Sequence, residues 1–312
     1  MEEAPLFCDI ADGPPGGRAL WLSTRDGVRL RIGHWPGGDK GTVLLFPGRT
    51  EFIEKYGVTA ADFAARGYGT LVIDWRGQGL SARALRDAMT GHVMHFSEYQ
   101  TDVAAMTGAA AALKLPRPWH LLAHSMSGSI GLRAVMRGLP VASCAFSAPM
   151  WGIAIKPALR PLAWSLGWSS RPLRLGHLYA PGTPRRSYVL EAPFTGNTLT
   201  RDADMYKRMG QQLRVHPELA LGGPSLQWLF AALRECRALS VMPAPDLPCL
   251  TFIGSEEEIV SRASVDARMA RWPGARLEVV KGGRHELLMD TAETRAHVTD
   301  LLAAHWEDAA RL

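Results

Sequence analysis

The chain has 312 residues, 47% hydrophobic and 21% charged, enough to build a large buried core and too apolar for disorder over most of its length. Its net charge of +5 comes with no Lys/Arg-rich run and no nucleic-acid motif, so no nucleic-acid partner is expected. No stretch of about 18 residues lacks a charge or breaker, the acidic start at Met1–Pro5 carries no secretory leader, and Cys8, Cys144, Cys236 and Cys249 stand far apart without a CxxC, so a cytoplasmic protein with free thiols is expected.

In chain order, residues 1–17 end in Gly13-Pro14-Pro15-Gly16-Gly17 and read as a loosely held N-terminal tail. Arg18–Ser23 and Val28–Trp35 are β-like runs joined around Asp26-Gly27, a hairpin signal. Four short apolar runs follow, Thr42–Phe46, Thr70–Asp74, Trp119–His124 and Val141–Ser147, each of a length suited to a buried parallel strand. Helical patterns lie between them at Tyr56–Arg66, Ser97–Leu115 and Ser127–Arg137, with Ser97 as an expected N-cap. This alternation predicts an α/β fold with a mostly parallel sheet and right-handed crossovers.

The rhythm breaks at Pro149 and returns near residue 241, with strands expected at Cys249–Ile253 and Ala275–Lys281 and helices at Arg262–Arg271 and Ala292–Trp306. The expected organisation is a core of residues 18–149 and 241–312, interrupted by a mainly helical insertion over 150–240. Between Trp151 and Ser240 there are 12 Lys/Arg and 5 Asp/Glu, so this insertion carries +7 and the rest of the chain −2.

One constellation carries chemistry. Ser125, in Ala123-His124-Ser125-Met126-Ser127-Gly128, falls between an apolar strand and a helix, where a hydroxyl can stand exposed above the sheet edge beside the amides of a helix N-terminus. His285 follows the last strand-like run after Gly282-Gly283, at the same carboxyl edge of the sheet, and can serve as its base. His124 adjoins the serine and reads as a buried packing histidine. Glu256, Glu257 and Glu258 follow Cys249–Ile253 and offer the acid that orients the histidine; the residues alone leave the three open.

The order serine, acid, histidine resembles that of the α/β-hydrolase superfamily, and within it the monoacylglycerol lipase and lysophospholipase L2-like branch. Asp74-Trp75-Arg76-Gly77-Gln78-Gly79-Leu80-Ser81 is similar to the branch's Asp-x-[Arg/His]-Gly-x-Gly-x-Ser loop. Phe46-Pro47-Gly48-Arg49-Thr50-Glu51 resembles its His-Gly-x-Gly-Glu segment, and Ser147-Ala148-Pro149 the strand end that leads into its cap. The resemblance aligns Glu257 with the acid and implies an oxyanion hole made by the backbone N–H groups of Arg49 and Met126. It departs from the pattern at Pro47 for histidine, at Ala123 and Ser127 for the two glycines around the nucleophile, and at glutamate for aspartate.

The implied activity is hydrolysis of a monoacyl lipid ester, a lysophospholipid or monoacylglycerol, through an acyl-enzyme on Ser125, with no metal or organic cofactor. A short-chain carboxylesterase, thioesterase or amidase with the same triad is the alternative, and an inactive hydrolase-fold binding protein is the alternative from another class. The insertion is then expected to be a cap whose Trp151, Trp164, Trp168, Leu166, Leu175 and Leu178 line an acyl channel, and whose arginines make peripheral contact with anionic lipid at the inner membrane surface. The Arg49 side chain is expected in a loop salt bridge, ahead of a role in binding a substrate phosphate.

Overall fold

The structure is a computed structural model and describes residues 1–311. Among the described residues there are nine strands: β1 (Glu2–Ala4), β2 (Arg18–Ser23), β3 (Arg29–Trp35), β4 (Thr42–Phe46), β5 (Gly69–Asp74), β6 (Trp119–His124), β7 (Ser143–Ser147), β8 (Cys249–Gly254) and β9 (Arg276–Val280). They form one sheet in the order β1-β2-β3-β5-β4-β6-β7-β8-β9. β1, β2 and β3 are antiparallel at one edge, and from β5 to β9 every neighbouring pair is parallel.

The parallel strands β4 to β8 are buried along their whole length, as expected of a sheet covered on both faces. Their side chains alternate between two cores. Leu44, Phe46, Leu121 and Ala123 pack with Met106 and Ile130 of the helices Glu98–Ala112 and Met126–Met136. Val43, Leu45, Val72 and Leu122 pack on the other face with Phe63 and Trp306 of the helices Gly57–Ala64 and Ala292–Ala309. Between β7 and β8 the chain leaves the sheet and forms the helices Arg160–Ser170, Tyr188–Glu191, Ala203–Val215 and Leu226–Val241. None of the described helices is long and apolar enough to cross a membrane.

The expected loose tail of residues 1–17 is corrected. Glu2–Ala4 pairs with Trp21–Ala19 as the edge strand, and Cys8–Ala11 forms a helical turn. Carbonyls and close packing hold the segment. Arg31 Nη1 donates to Pro5 O at 2.9 Å, Gln212 Nε2 to Ile10 O at 2.8 Å, and Arg208 Nη2 to Ala11 O at 2.9 Å. Gly13 and Gly17 lie against the Trp35 ring, where a Cβ would sit 2.3 and 2.4 Å from Nε1. Ser97 does occupy the N-cap position, but its side chain makes no capping bond; Glu98 instead accepts from His95 N–H at 2.6 Å.

Arg31 is the tie at this edge. Its side chain is fully buried and forks onto Glu54, with both bonds at 2.8 Å, while Nε donates to Asp74 at 2.7 Å. Asp74 also accepts from the amides of Ile53 and Leu80, both at 2.9 Å. One guanidinium thereby joins β3, β5 and the segment after β4. Removing one partner of such a buried group leaves uncompensated charge. Arg31→Met is therefore expected to lower unfolding free energy by about 3–5 kcal/mol in denaturant titrations; a loss below about 1 kcal/mol would contradict this role.

Candidate active site

Ser125 stands between β6 and the helix Met126–Met136 with φ of 51° and ψ of −118°, a conformation a side chain rarely adopts. Three backbone bonds hold it: its N–H donates to Ser147 O at 3.0 Å, and its carbonyl accepts from Gly128 and Met150 at 2.8 Å each. The turn is tight enough that a Cβ on Gly128 would meet Pro149 Cβ at 2.4 Å. The space that glycines at 123 and 127 would give is thus supplied one residue later. Ser127 adds a hydroxyl that donates to Pro47 O and accepts from Trp75 Nε1 at 3.0 Å; the same indole reaches Pro47 O at 2.9 Å. Two departures from the family pattern therefore meet, with Ser127 tethering the loop that begins at Pro47.

His285 and Glu257 arrive from β9 and β8. Gly254 and Gly283 let their loops touch: a Cβ on Gly254 would lie 2.1 Å from Gly283 O. Glu286 N–H donates to Leu199 O at 2.8 Å and anchors the histidine loop to the insertion. His285 Nε2 lies 2.8 Å from Ser125 Oγ, and Nδ1 lies 2.8 Å from Glu257 Oε2. With Nδ1–H donating to the carboxylate, Nε2 accepts from the serine hydroxyl. Glu257 Oε1 accepts from the amides of Ile259 (2.6 Å) and Val260 (3.0 Å). Burial works against its charge, but the hydrogen bond to His285 and these amides outweigh it and hold the carboxyl below its ordinary value. Glu256 is exposed and faces Arg284 at 3.6 Å, and Glu258 is exposed. Among the three glutamates, geometry brings Glu257 to the histidine.

The loop after β4 lies over the serine, since a Cβ on Gly48 would sit 3.0 Å from Ser125 Cβ. Gly48 N–H is taken by Glu51 and its carbonyl by Gln78 Nε2 at 2.9 Å; Thr50 N–H donates to Gln78 Oε1 at 3.1 Å. Between these pinned groups, Arg49 N–H makes no hydrogen bond with the described residues. Met126 N–H belongs to the first helical turn, whose amides lack intrahelical acceptors. Both residues line the cavity at Ser125, and neither amide is taken by another described residue.

Sequence reasoning missed a second buried cluster behind His285. Lys55 Nζ donates to Glu51 at 2.6 Å and to Glu286 at 2.7 Å, and Tyr56 OH donates to Glu51 at 2.5 Å. His124 gives Nδ1 to Ser147 O at 3.0 Å and turns Nε2 toward Glu286 (3.4 Å) and Glu51 (3.6 Å). Its ring centre is 5.0 Å from that of His285. Burial alone lowers the pKa of His124, but Glu51 and Glu286 raise it on balance. Burial raises that of Glu286, and Lys55 and His124 bring it well below the usual carboxylate range. Glu51, His124 and Glu286 could ligate a metal by spacing alone. The Lys55 ammonium already bridges the two carboxylates, so the donor set does not fit one. A glutamate at i and a lysine at i+4 was the available signal.

A cavity of about 590 Å³ opens above Ser125, His285, Arg49 and Met126, walled by Phe52, Leu166, Leu199, Leu213, Leu226 and Trp228 among others. Most of the expected channel residues are elsewhere. Trp151 is buried beside Phe146 with Nε1 on Gly128 O at 3.0 Å, Trp164 packs on Phe230, and Trp168, Leu175 and Leu178 are exposed. The expected salt bridge of Arg49 is absent among the described residues; its Nη1 donates to Gly222 O at 2.7 Å.

Comparison with known proteins adds to this geometry. A family model described as serine aminopeptidase, S33, matches residues 37–292. Lysophospholipase L2 of Escherichia coli (strain K12) is 33% identical over 285 residues, covering 86% of this chain and 80% of that protein. A probable lysophospholipase L2 of Haemophilus influenzae is 29% identical over 288 residues, covering 89% and 88%. Among solved structures, a soluble variant of monoglyceride lipase from Saccharomyces cerevisiae in complex with a substrate analogue has a TM-score of 0.71 at 17% identity, over 92% of this chain and 94% of that one, and shares the fold.

The buried cluster gives a pH signature. Lys55→Met leaves Glu51 and Glu286 without their shared cation, an expected loss of about 3–5 kcal/mol at neutral pH. Glu286 is held low, so its stabilisation is present above its unfolded value of ~4.3 and is lost as pH falls through the folded value. The stability gap between native and variant should therefore narrow in urea titrations below about pH 4. A gap that is small at pH 7, or constant into acid, would contradict the charge assignment.

Proposed function

Because the chain belongs to the α/β-hydrolase family described as serine aminopeptidase, S33, in its lysophospholipase L2-like branch, we propose that it is a serine ester hydrolase of monoacyl lipids working through Ser125, His285 and Glu257. The observation that carries this reading is the Ser125–His285–Glu257 relay, with both links at 2.8 Å, on the floor of a largely apolar cavity. Ser125 Oγ attacks the ester carbonyl carbon while His285 Nε2 takes its proton. The tetrahedral oxyanion is met by the N–H groups of Arg49 and Met126, each worth about 2.7–4 kcal/mol of barrier in comparable sites. The ester C–O bond breaks, and His285 returns the proton to the departing glycerol hydroxyl. Water, deprotonated by the same histidine, then attacks the acyl carbon; the acyl–Oγ bond breaks, the fatty acid leaves, and His285 returns the proton to Ser125 Oγ. Glu257 fixes the tautomer and stabilises the imidazolium. An inactive binding protein would have no need of a complete relay, and short esters would leave most of the cavity's apolar wall uncovered.

The insertion over 150–240 acts as a cap with a membrane-facing side. Helix Arg160–Ser170 buries Gly167 and Ser170, while Leu162, Trp168 and nearby Leu159 and Leu173 are exposed among Arg160, Arg171 and Arg174. An apolar patch ringed by arginines suits an anionic lipid surface, the inner membrane surface if the protein resides in the cytoplasm.

Two experiments test this reading. In a panel of p-nitrophenyl esters, monoacylglycerols and lysophospholipids, Ser125→Ala should lose about 10⁴-fold or more in kcat while folding normally. Glu257→Gln should fall by a comparable factor, with Glu256→Gln and Glu258→Gln near native; substantial activity in Ser125→Ala, or a flat response across the glutamates, refutes the assignment. Separately, binding to anionic vesicles should weaken steeply as salt shortens the Debye length to about 8–10 Å, and neutral vesicles should bind poorly. Arg171→Gln, Arg174→Gln and Arg185→Gln together should reduce vesicle binding yet spare hydrolysis of a soluble short-chain ester. Indifference of the native protein to both vesicle types would sink the membrane-facing side.

A further inference from the structure

Arg49 occupies an unusual electrostatic position. Four other ionisable side chains line the same cavity beside the relay, and they neutralise one another: Lys55 bridges Glu51 and Glu286, and His124 faces the same two carboxylates. At the mouth, Arg186 is mostly exposed and leans toward Glu191 at 4.0 Å. Arg49 has no carboxylate within ion-pair distance among the described residues. Its guanidinium makes one hydrogen bond, to the neutral Gly222 carbonyl at 2.7 Å, and rests 5.8 Å from the centre of the Trp228 ring. Among the described residues Nε and Nη2 have no hydrogen-bond partner, yet they are not sealed off from solvent. Partial burial pulls the group's pKa down to about 10, with no carboxylate beside it to push it back up.

A half-buried cation with no carboxylate beside it among the described residues is open to an anionic partner from outside the chain. A planar guanidinium with free N–H groups matches phosphate oxygens, which it can bind with two bonds at once. The residue also sits close to the proposed nucleophile, because it follows Gly48 on the loop over Ser125 and lines the same cavity, and its backbone N–H is the one assigned above to the oxyanion. In a lysophospholipid the ester and the phosphate sit on the same three-carbon glycerol. The free carboxylates needed to recognise an amine are lacking, since both that line the cavity are spent on Lys55 and His124.

We infer that the Arg49 side chain is the anchor for the phosphate of the substrate headgroup, so that the cavity selects lysophospholipids over neutral monoacylglycerols. This deepens the monoacyl-lipid reading of the same site and rests on it. One residue then serves both parts of the substrate, its amide the reacting carbonyl and its guanidinium the headgroup.

The test compares 1-acyl lysophosphatidylglycerol with 1-monoacylglycerol of the same acyl chain, both in neutral detergent micelles so that attraction of the whole enzyme to a charged surface plays no part. The native enzyme should show the higher kcat/KM on the phosphate-bearing lipid. A charge-assisted hydrogen bond is worth a discrimination of about tenfold or more, so Arg49→Gln should shrink the ratio of the two kcat/KM values by about that factor, and Arg49→Lys should keep part of it. The ratio cancels any loss common to both substrates. A native enzyme that turns over monoacylglycerol as well as the phospholipid, or an Arg49→Gln variant with an unchanged ratio, overturns the anchor and leaves the monoacyl-lipid reading standing. A native enzyme that hydrolyses neither lipid overturns that reading and the anchor with it.

Discussion

The site depends on one strained turn. Ser125 is held at a positive φ that costs on the order of 1–3 kcal/mol for a residue with a side chain, and the neighbouring structure is arranged to keep it there. β7 lends the Ser147 carbonyl, the start of the insertion lends the Met150 amide, and Gly128 gives the helix room to pass Pro149. The turn lifts the hydroxyl out of the strand line toward His285 and leaves the amides of a helix start beneath the reacting carbonyl. Because the strain is borne by bonds from several elements, the geometry of the nucleophile is coupled to the sheet and to the insertion together.

The loop opposite the serine is fixed by a different means. Glu51 takes the Gly48 amide with one oxygen and Lys55 with the other, and Lys55 continues to Glu286, the residue after His285. A chain of buried charge thus runs from the loop after β4 to the loop that carries His285, passing His124, the neighbour of Ser125. Buried ion networks are weak devices for stability but effective ones for fixing a geometry. Here the network ties together the two loops that flank Ser125. On the outer side, Asp74 and Glu54 share Arg31, so the same loop is braced toward the antiparallel edge as well.

The sheet and the relay were largely legible in the sequence, for physical reasons. Runs such as Thr42–Phe46 and Trp119–His124 are apolar throughout because both faces of a parallel sheet are covered, and Asp26-Gly27 announces its hairpin through a glycine at φ of 80°. Ser125 and His285 follow strands at the carboxyl edge, which topology makes the place for chemistry. Less legible was whatever depends on tertiary partners. The edge strand Glu2–Ala4 has no periodicity of its own and is ordered by β2 and Arg31. The insertion's tryptophans look alike in sequence, yet Trp151 is core, Trp168 is solvent-facing and Trp228 lines the cavity. The isolation of Arg49 could not be read at all: a loop salt bridge was the expectation, and the structure commits the nearby Glu51 to Lys55, Tyr56 and Gly48 instead.

The central claim is that Ser125 is a nucleophile activated by His285. Intact-protein mass spectrometry after exposure to a fluorophosphonate probe tests it most directly, since the probe is attacked only by an activated hydroxyl and needs no knowledge of the natural substrate. The account predicts one adduct per native chain, mapped to Ser125, with labelling far slower in His285→Ala. A native protein that stays unlabelled, or a Ser125→Ala variant that labels as fast as the native chain, would contradict it.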